Sequence, residues 1–216
     1  MGGLSGVPLA FAWAAVGAGV GAGIRWGSVK LARLEDLRPK FDRWLVVGPP
    51  VLTAALFAAF AFKIGPEWTL LLRSLWIAIL VQVIFFDLEH RLILDRVLVP
   101  AILVALGLSF VTPHLGWKLS LLAGLGAGLL FLLVAVVGAW VFRAEALGIG
   151  DVKLSVFIGL VVGLQYVLPA LFWGVFLAGT ISILLVAARR SSLKDSIAYG
   201  PYLAAGTLIV LFQMSR

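Results

Sequence analysis

Four acidic side chains, Asp87, Glu89, Asp95 and Asp151, have the types and positions best suited to chemistry. The chain has only ten acidic residues, and these four gather at two predicted helix ends. Three follow the third apolar segment, and Asp151 begins the sixth. Ionisable groups at membrane depth are costly to bury and are therefore candidates for a functional site. Asp87 and Asp151 are our candidate catalytic pair.

Two carboxylates held close together in a partly apolar site cannot both ionise easily. The pKa of one rises while the other stays low, and the pair titrates as a unit. The charged member can then activate a water molecule while the protonated member donates to a scissile carbonyl oxygen. This is the arrangement of the aspartic proteases, and it needs neither a metal nor a cofactor.

Gly148 and Gly150 precede Asp151 in the segment GIGD. Glycines at these positions let the backbone approach a neighbour closely and adopt conformations that other residues avoid. Taken alone, Asp151 also fits a second interpretation, as a carboxylate at a helix N-terminus that interacts favourably with the helix dipole.

The composition is that of a membrane protein. Of 216 residues, 62% are hydrophobic and 12% are charged, whereas soluble domains are about 45–50% apolar and about 25% charged. The formal charge of +7 comes from basic residues in short loops, which argues against nucleic-acid binding. The chain has no cysteine, so disulfides, thiolate metal sites and a cysteine nucleophile are excluded.

The apolar segments predict an all-α polytopic bundle of about eight transmembrane helices in one integral membrane domain, residues 1–216. A tight turn is expected within the long apolar run 153–188, at Gly163, Gln165 or Pro169. The first segment lacks a signal peptide's positive start and is interpreted as a retained span. The predicted spans are 8–24, 45–62, 68–86, 97–112, 119–142, 152–167, 169–188 and 199–214.

Glycines in the first span recur at a spacing that is typical of close helix packing. Gly17 and Gly21 form one GxxxG pair, and Gly19 and Gly23 form a second. Small residues at this spacing let two membrane helices approach each other.

Basic residues define the orientation. Thirteen of the 17 Lys and Arg residues lie in four alternate connections, near 25–43, 87–96, 143–153 and 189–198. The positive-inside rule makes these connections cytoplasmic and places both termini outside. The third span then ends, and the sixth begins, on the cytoplasmic side. Asp87 and Asp151 are therefore expected at the same membrane face.

Three segments resemble the type IV prepilin peptidase family, the GxGD-type membrane aspartyl proteases. FFDLEHRLILDRVLVP, residues 85–100, is similar to that family's aspartate-containing first motif. GIGDVKLSVFIGLVVG, residues 148–163, has its glycine-x-glycine-aspartate followed by a lysine. YGPYLAAG, residues 199–206, is similar to its glycine-proline entry into the last helix. The three segments occur in the family's order, within residues 85–206.

The resemblance implies that Asp87 and Asp151 are catalytic. Asp95 matches the second acidic position of the first motif and is expected to be structural or supporting. The alternative that Asp95 is itself a member of the catalytic pair stays open. Glu89 and Lys153 either tune pKa values or are solvated charges at helix ends. The remaining motif positions are backbone positions, namely Gly148, Gly150, Gly200 and Pro201.

Two departures from the family's pattern are visible. Leu94 stands where the family usually has a proline before the second aspartate. Bifunctional members carry a long insertion in the first cytoplasmic loop, where two cysteine pairs hold zinc linked to N-methylation; here that loop is short and has no cysteine. We therefore expect no zinc site, no cofactor and no methyltransferase activity. His90 and His114 have no metal-ligand pattern around them.

The resemblance implies a membrane aspartic endopeptidase of the prokaryotic cytoplasmic membrane. Its active site would face the cytoplasm and cut the basic leader from prepilin-like or pseudopilin precursors of a type IV pilus or type II secretion system. Its partners would be the membrane-anchored precursor and the lipid bilayer; the oligomeric state stays open.

Two alternatives remain. A catalytically silent scaffold of a pilus or secretion machine would need neither aspartate. A proton-coupled transporter also uses membrane aspartates, but it typically places them near the midplane within broken helices rather than at helix ends.

Overall fold

The structure, a computed structural model, describes residues 6–112, 116–142, 147–188 and 198–215. Four basic residues used above to predict the orientation lie outside these ranges, namely Arg143, Arg189, Arg190 and Lys194. His114, which has no metal-ligand pattern around it in the sequence, also lies outside them. Within the described residues the chain forms eight α-helices and no strand, which confirms an all-α polytopic bundle. They are α1 (Gly6–Leu34), α2 (Arg43–Ile64), α3 (Trp68–His90), α4 (Asp95–Ser109), α5 (Trp117–Phe142), α6 (Ile149–Val162), α7 (Leu164–Ala187) and α8 (Gly200–Met214).

Five of these helices, α1, α2, α3, α5 and α7, are long and apolar enough to cross a membrane. Helices α4 and α8 have 15 residues and α6 has 14. At 1.5 Å per residue they are only about 21–23 Å long, against a hydrocarbon core of about 30 Å. The number of complete crossings and the side of each terminus therefore stay predictions.

The chain divides into two compact units. The first comprises Met1–Arg91 and Leu211–Arg216, and the second comprises Leu92–Val210. The first contains α1, α2 and α3, and the second contains α4 to α7 and most of α8. This division does not test whether residues 1–216 act as one membrane domain, so the single domain also stays a prediction.

In the first unit, α1 packs closely against α2 through one of the two predicted glycine pairs. A Cβ at Gly21 would lie 2.5 Å from the carbonyl oxygen of Pro49, and one at Gly17 would lie 2.8 Å from that of Thr53. Only hydrogen fits at such contacts. The prediction for Gly19 and Gly23 is wrong, because a Cβ at either would meet no atom within 4 Å. The two pairs point to different sides of α1.

In the second unit, α6 is the central helix and contacts α4, α5 and α7. It is separated from α7 by Gly163 alone, which has φ +74° and ψ 175°, a conformation that favours glycine. The predicted turn is therefore at Gly163, while Pro169 lies inside α7. The predicted sixth span, 152–167, ends too late because one glycine is sufficient to break the run at Val162.

Close packing of α6 on α5 predicts the effect of adding a single methyl group. A Cβ at Gly159 would overlap the carbonyl oxygen of Ala123 and lie 2.7 Å from the Cα of Gly124. Gly159→Ala is expected to lower the free energy of unfolding by about 1–3 kcal/mol, because backbone atoms cannot yield as side chains do. Unfolding in detergent micelles measures this.

The matched control is Gly179→Ala in α7, where a new Cβ would meet nothing within 4 Å. That variant should be neutral or stabilised by up to about 1 kcal/mol through helix propensity. Equal stability of the two variants would contradict this packing.

Candidate functional site

Asp87 lies in the last turn of α3 and is only 4% exposed. Its carbonyl oxygen accepts the N–H of Arg91 at 2.7 Å, and Arg91 adopts the left-handed conformation, with φ 54° and ψ 40°, that ends the helix. The four residues before Asp87, Val83 to Phe86, are apolar, so this carboxylate follows directly on an apolar turn of α3. The first unit thus buries a carboxylate where the sequence predicted a catalytic one.

Glu89 is also buried, and it has partners that the sequence did not indicate. Its carboxylate accepts the Arg25 guanidinium at 2.6 Å through one oxygen and the backbone N–H of Lys40 at 2.6 Å through the other. Arg25 also donates to the carbonyl oxygen of Lys40. The prediction of a solvated helix-end charge at Glu89 is therefore wrong, because the side chain is 2% exposed and carries a buried ion pair.

Sequence reasoning counted Arg25 only as a marker of the cytoplasmic side. A signal for its burial was present in the sequence, since Arg25 continues the four-residue spacing of Gly17 and Gly21. In the structure these three residues are buried together with Ser28 and Ala32. Their spacing places all five on one helix face. The glycine pair that packs on α2 thus continues directly into the arginine.

Asp151 lies in the first turn of α6 and is 8% exposed. Its Oδ2 accepts the N–H of Gly148 at 3.2 Å, and its own N–H donates to the carbonyl oxygen of Gly148 at 3.1 Å. Asp151 precedes the predicted span 152–167. Burial raises the pKa of its carboxyl to about 6, and the hydrogen bond from Gly148 opposes that rise. The second unit therefore holds a carboxyl group whose pKa lies well above its ordinary value.

The two glycines of GIGD have different roles. A Cβ at Gly150 would lie 3.0 Å from the Cβ of Ile93, so a close approach requires a small residue there. Gly148 has φ −79° and ψ 152°, which is extended backbone open to any residue. The expectation of unusual backbone conformations is thus not met at Gly148, and the expectation of close approach is met at Gly150.

Asp95 and Lys153, the two predicted supporting residues of the second unit, form an ion pair. The Lys153 ammonium lies 2.7 Å from both carboxylate oxygens of Asp95 and joins the starts of α4 and α6. The Asp95 side chain is 59% exposed and that of Lys153 is 35% exposed, so the pair contributes only about 0–1 kcal/mol. Asp95 is thereby a solvated, paired carboxylate, unlike the buried Asp151.

Leu94 has φ −74° and ψ 120° and precedes α4. Proline has a φ near −65°, so the same backbone suits either residue. The departure at Leu94 therefore leaves the local geometry compatible with the family's proline.

Gly200 and Pro201 begin α8, and both are buried. Proline is tolerated in a first turn because its missing N–H has no partner within the helix there. Their expected place at the entry to the last helix is thus the observed one. Among the described residues no group of three or more His, Cys, Asp and Glu side chains is arranged to hold a metal.

This chain is similar to proteins of one known family over the region that holds the acidic residues. Residues 74–183, which include Asp87 and Asp151, match the model of the type IV leader peptidase family. The chain belongs to this family. Arg25 lies outside the matched region, so the ion pair with Glu89 joins the leader peptidase region to the first helix.

Curated relatives carry the name prepilin leader peptidase/N-methyltransferase. The protein from Bacillus subtilis is 30% identical over 74% of this chain and 62% of its own length. The protein from Aeromonas hydrophila is 32% identical over 74% of this chain and 56% of its own length. The protein from Myxococcus xanthus is 28% identical over 64% of this chain and 41% of its own length. The chain thus covers less than two thirds of each of these relatives, and no solved structure matches it significantly.

The raised pKa of Asp151 predicts a pH-dependent stability. The carboxyl group titrates at about 6 in the folded chain and at its ordinary value of 3.8 when unfolded. The folded state therefore binds more protons between these values, and stability falls as the pH rises from about 4 to about 6. A shift of about two units corresponds to about 3 kcal/mol.

Asp151→Asn removes the charge and keeps an acceptor for Gly148. The variant should be more stable than the wild type at pH 8, by up to about 3 kcal/mol, and equally stable near pH 4. Unfolding midpoints in detergent at several pH values measure this. Asp95→Asn, at an exposed carboxylate, serves as control and should lack the pH-dependent gain. An Asp151→Asn variant with wild-type stability at pH 8 would contradict the raised pKa of Asp151.

Proposed function

We propose that the chain is a membrane aspartic endopeptidase that removes the leader from prepilin-like or pseudopilin precursors. Membership of the type IV leader peptidase family and the names of the curated relatives support a peptidase of this substrate class. The observation that carries the aspartic mechanism is the burial of one carboxylate at each of two helix ends, Asp87 and Asp151, inside the matched region.

In the proposed mechanism Asp151 holds the proton and Asp87 is charged. Asp87 takes a proton from a water molecule, whose oxygen forms a bond to the scissile carbonyl carbon. Asp151 donates its proton to the carbonyl oxygen, which gives a neutral tetrahedral intermediate. Collapse of the intermediate breaks the C–N bond, and Asp87 passes its proton to the leaving amine while Asp151 regains its own. No metal or cofactor takes part.

The raised pKa of Asp151 supports its role as the acid. A carboxyl that titrates at about 6 keeps a protonated fraction near neutral pH, and a charged carboxylate beside it would raise that fraction further. Asp95 is a poorer partner, because its carboxylate is exposed and already satisfied by Lys153.

We further propose that the cut is made at the cytoplasmic face of the prokaryotic inner membrane. The basic connections support this side for Asp87 and Asp151, and a basic leader would stay on the same side by the same charge rule. A precursor with a basic leader and a following hydrophobic helix fits a bundle whose outer surface is apolar. The proposed enzyme lacks methyltransferase activity, since its first cytoplasmic connection is short and carries no cysteine.

Leader cleavage tests the pair directly. The chain would be co-expressed with pilin-like precursors from the same genome, and leader loss followed for wild type, Asp87→Asn and Asp151→Asn. Both variants are expected to lose at least about 10³-fold in rate, because each removes one half of the proton transfer. Mass spectrometry of the mature N-terminus should show a free, unmethylated amine.

Asp95→Asn is the matched control, being the same substitution at an exposed carboxylate of the same region. It should cut within a few fold of the wild type at equal membrane levels. Cleavage that survives in Asp87→Asn or Asp151→Asn would remove that residue from the mechanism, and loss in Asp95→Asn would bring Asp95 into it. A wild type that cuts none of the genome's precursors would favour a silent scaffold, and uptake sensitive to Asp87→Asn would favour a transporter.

A further inference from the structure

The last turn of α3 carries Asp87 and has no helical turn after it. Terminal turns open most readily, since their carbonyl groups lack partners within the helix. Here one carbonyl, that of Asp87, is satisfied by the N–H of Arg91, in a left-handed residue that stops the helix. Contacts made to this turn from outside the helix therefore help to set the position from which the Asp87 side chain projects.

Glu89 makes such contacts and connects α3 with α1 and with the segment between α1 and α2. Its two carboxylate oxygens receive Arg25 of α1 and the backbone N–H of Lys40, each at 2.6 Å. Arg25 completes the set by donating to the carbonyl oxygen of Lys40. Both backbone polar groups of Lys40 are therefore bound, and residues 35–42, which connect α1 to α2, are attached to the end of α3.

The Arg25–Glu89 ion pair fixes geometry more than it adds stability. The two side chains are 10% and 2% exposed, so both charges have lost most of their water. Desolvation cancels much of the attraction in such pairs, and apolar replacements of similar volume are often no less stable. What the pair supplies is one specific arrangement, because a guanidinium and a carboxylate bind each other in few orientations.

Helix geometry keeps Glu89 away from the reacting atoms. Two successive residues on an α-helix are separated by about 200° around its axis. Glu89 faces α1 and the connection to α2, whereas Asp87, two positions earlier, projects from another side of α3. Glu89 therefore acts through the helix turn that it shares with Asp87.

We propose that Arg25 and Glu89 are positioning residues whose buried ion pair holds the last turn of α3, and with it the carboxylate of Asp87, in the orientation used for peptide hydrolysis. This inference rests on the proposed peptidase function. It assigns to the first helix, which lies outside the region matched by the family, a part in the active site of this chain.

The first test is an apolar replacement of the whole pair, Arg25→Met with Glu89→Leu. The double variant leaves no unpaired buried charge, so it is expected to fold and to reach wild-type levels in the membrane. Its kcat should fall about 10- to 100-fold with KM within about threefold of the wild type, because a small misplacement of a catalytic group slows chemistry more than it weakens binding. Arg25→Lys, which keeps the charge opposite Glu89 but loses the planar guanidinium, should lose kcat in the same direction and covers the case in which the double variant does not fold.

The matched control is Arg33→Met with Glu67→Leu, which makes the same two substitutions at exposed positions of the same unit. This variant should keep wild-type kcat and KM. It separates loss of the specific ion pair from loss of two charges.

The second test measures, without an activity assay, whether residues 35–42 are held against the end of α3. The chain has no cysteine, so Arg38→Cys provides a single site for a nitroxide spin label within residues 35–42. The label should be immobilised in the wild-type background and clearly more mobile in the Arg25→Met/Glu89→Leu background. Equal mobility in both backgrounds would overturn the proposal.

The outcomes of the kinetic test separate the two levels of the proposal. A wild-type chain that cuts no precursor overturns the peptidase function, and the positioning role falls with it. A wild type that cuts, together with a double variant that keeps wild-type kcat or changes only KM, overturns the positioning role alone. A fall in kcat with an unchanged KM and a mobile label supports it.

Discussion

Removing carboxylates from water at helix ends is the constraint around which both units of this chain are organised. An isolated charge is costly in an apolar environment, so a buried carboxylate must find partners or take up a proton. Glu89 has partners, an arginine and a backbone N–H at 2.6 Å each. Asp151 has one backbone N–H at 3.2 Å, and its pKa rises to about 6. The same constraint thus gives one carboxylate that fixes structure and another that is ready to exchange protons.

Close approach of helix backbones determines which elements can surround these carboxylates. Gly17 and Gly21 bring α1 against α2 with no room for a side chain, and the same face of α1 then presents Arg25 to Glu89. In the second unit Gly159 brings α6 against α5, and Gly150 brings the start of α6 against Ile93. These four glycines therefore matter because they let helices approach closely. Gly163, which ends α6, matters for a different reason, because its own backbone adopts a positive φ that favours glycine.

Hydropathy and charge were sufficient to predict eight helices, because apolar runs in lipid must satisfy their own backbone hydrogen bonds. The predicted first span, 8–24, ends too early, since α1 continues to Leu34. Hydropathy and charge did not show where α4, α6 and α8 begin and end; these helices have 15, 14 and 15 residues. The positions of Asp87 and Asp151 at helix ends followed from the same pattern. The ion pair of Arg25 and Glu89 did not, because 64 residues separate the two and only packing of α1 on α3 brings them together. The outward direction of Gly19 and Gly23 was likewise invisible, since spacing alone cannot tell which face of a helix has a neighbour.

The central claim is that Asp87 and Asp151 form one catalytic pair, and site-directed cross-linking tests it most directly. Because the chain has no cysteine, Asp87→Cys with Asp151→Cys introduces the only two thiols. A pair that shares one water should be joined rapidly by the shortest bifunctional methanethiosulfonate reagent in native membranes. Efficient linkage of positions 87 and 151 is the predicted result. Two thiols that each react with a monofunctional reagent, yet are never linked to each other, would contradict the account.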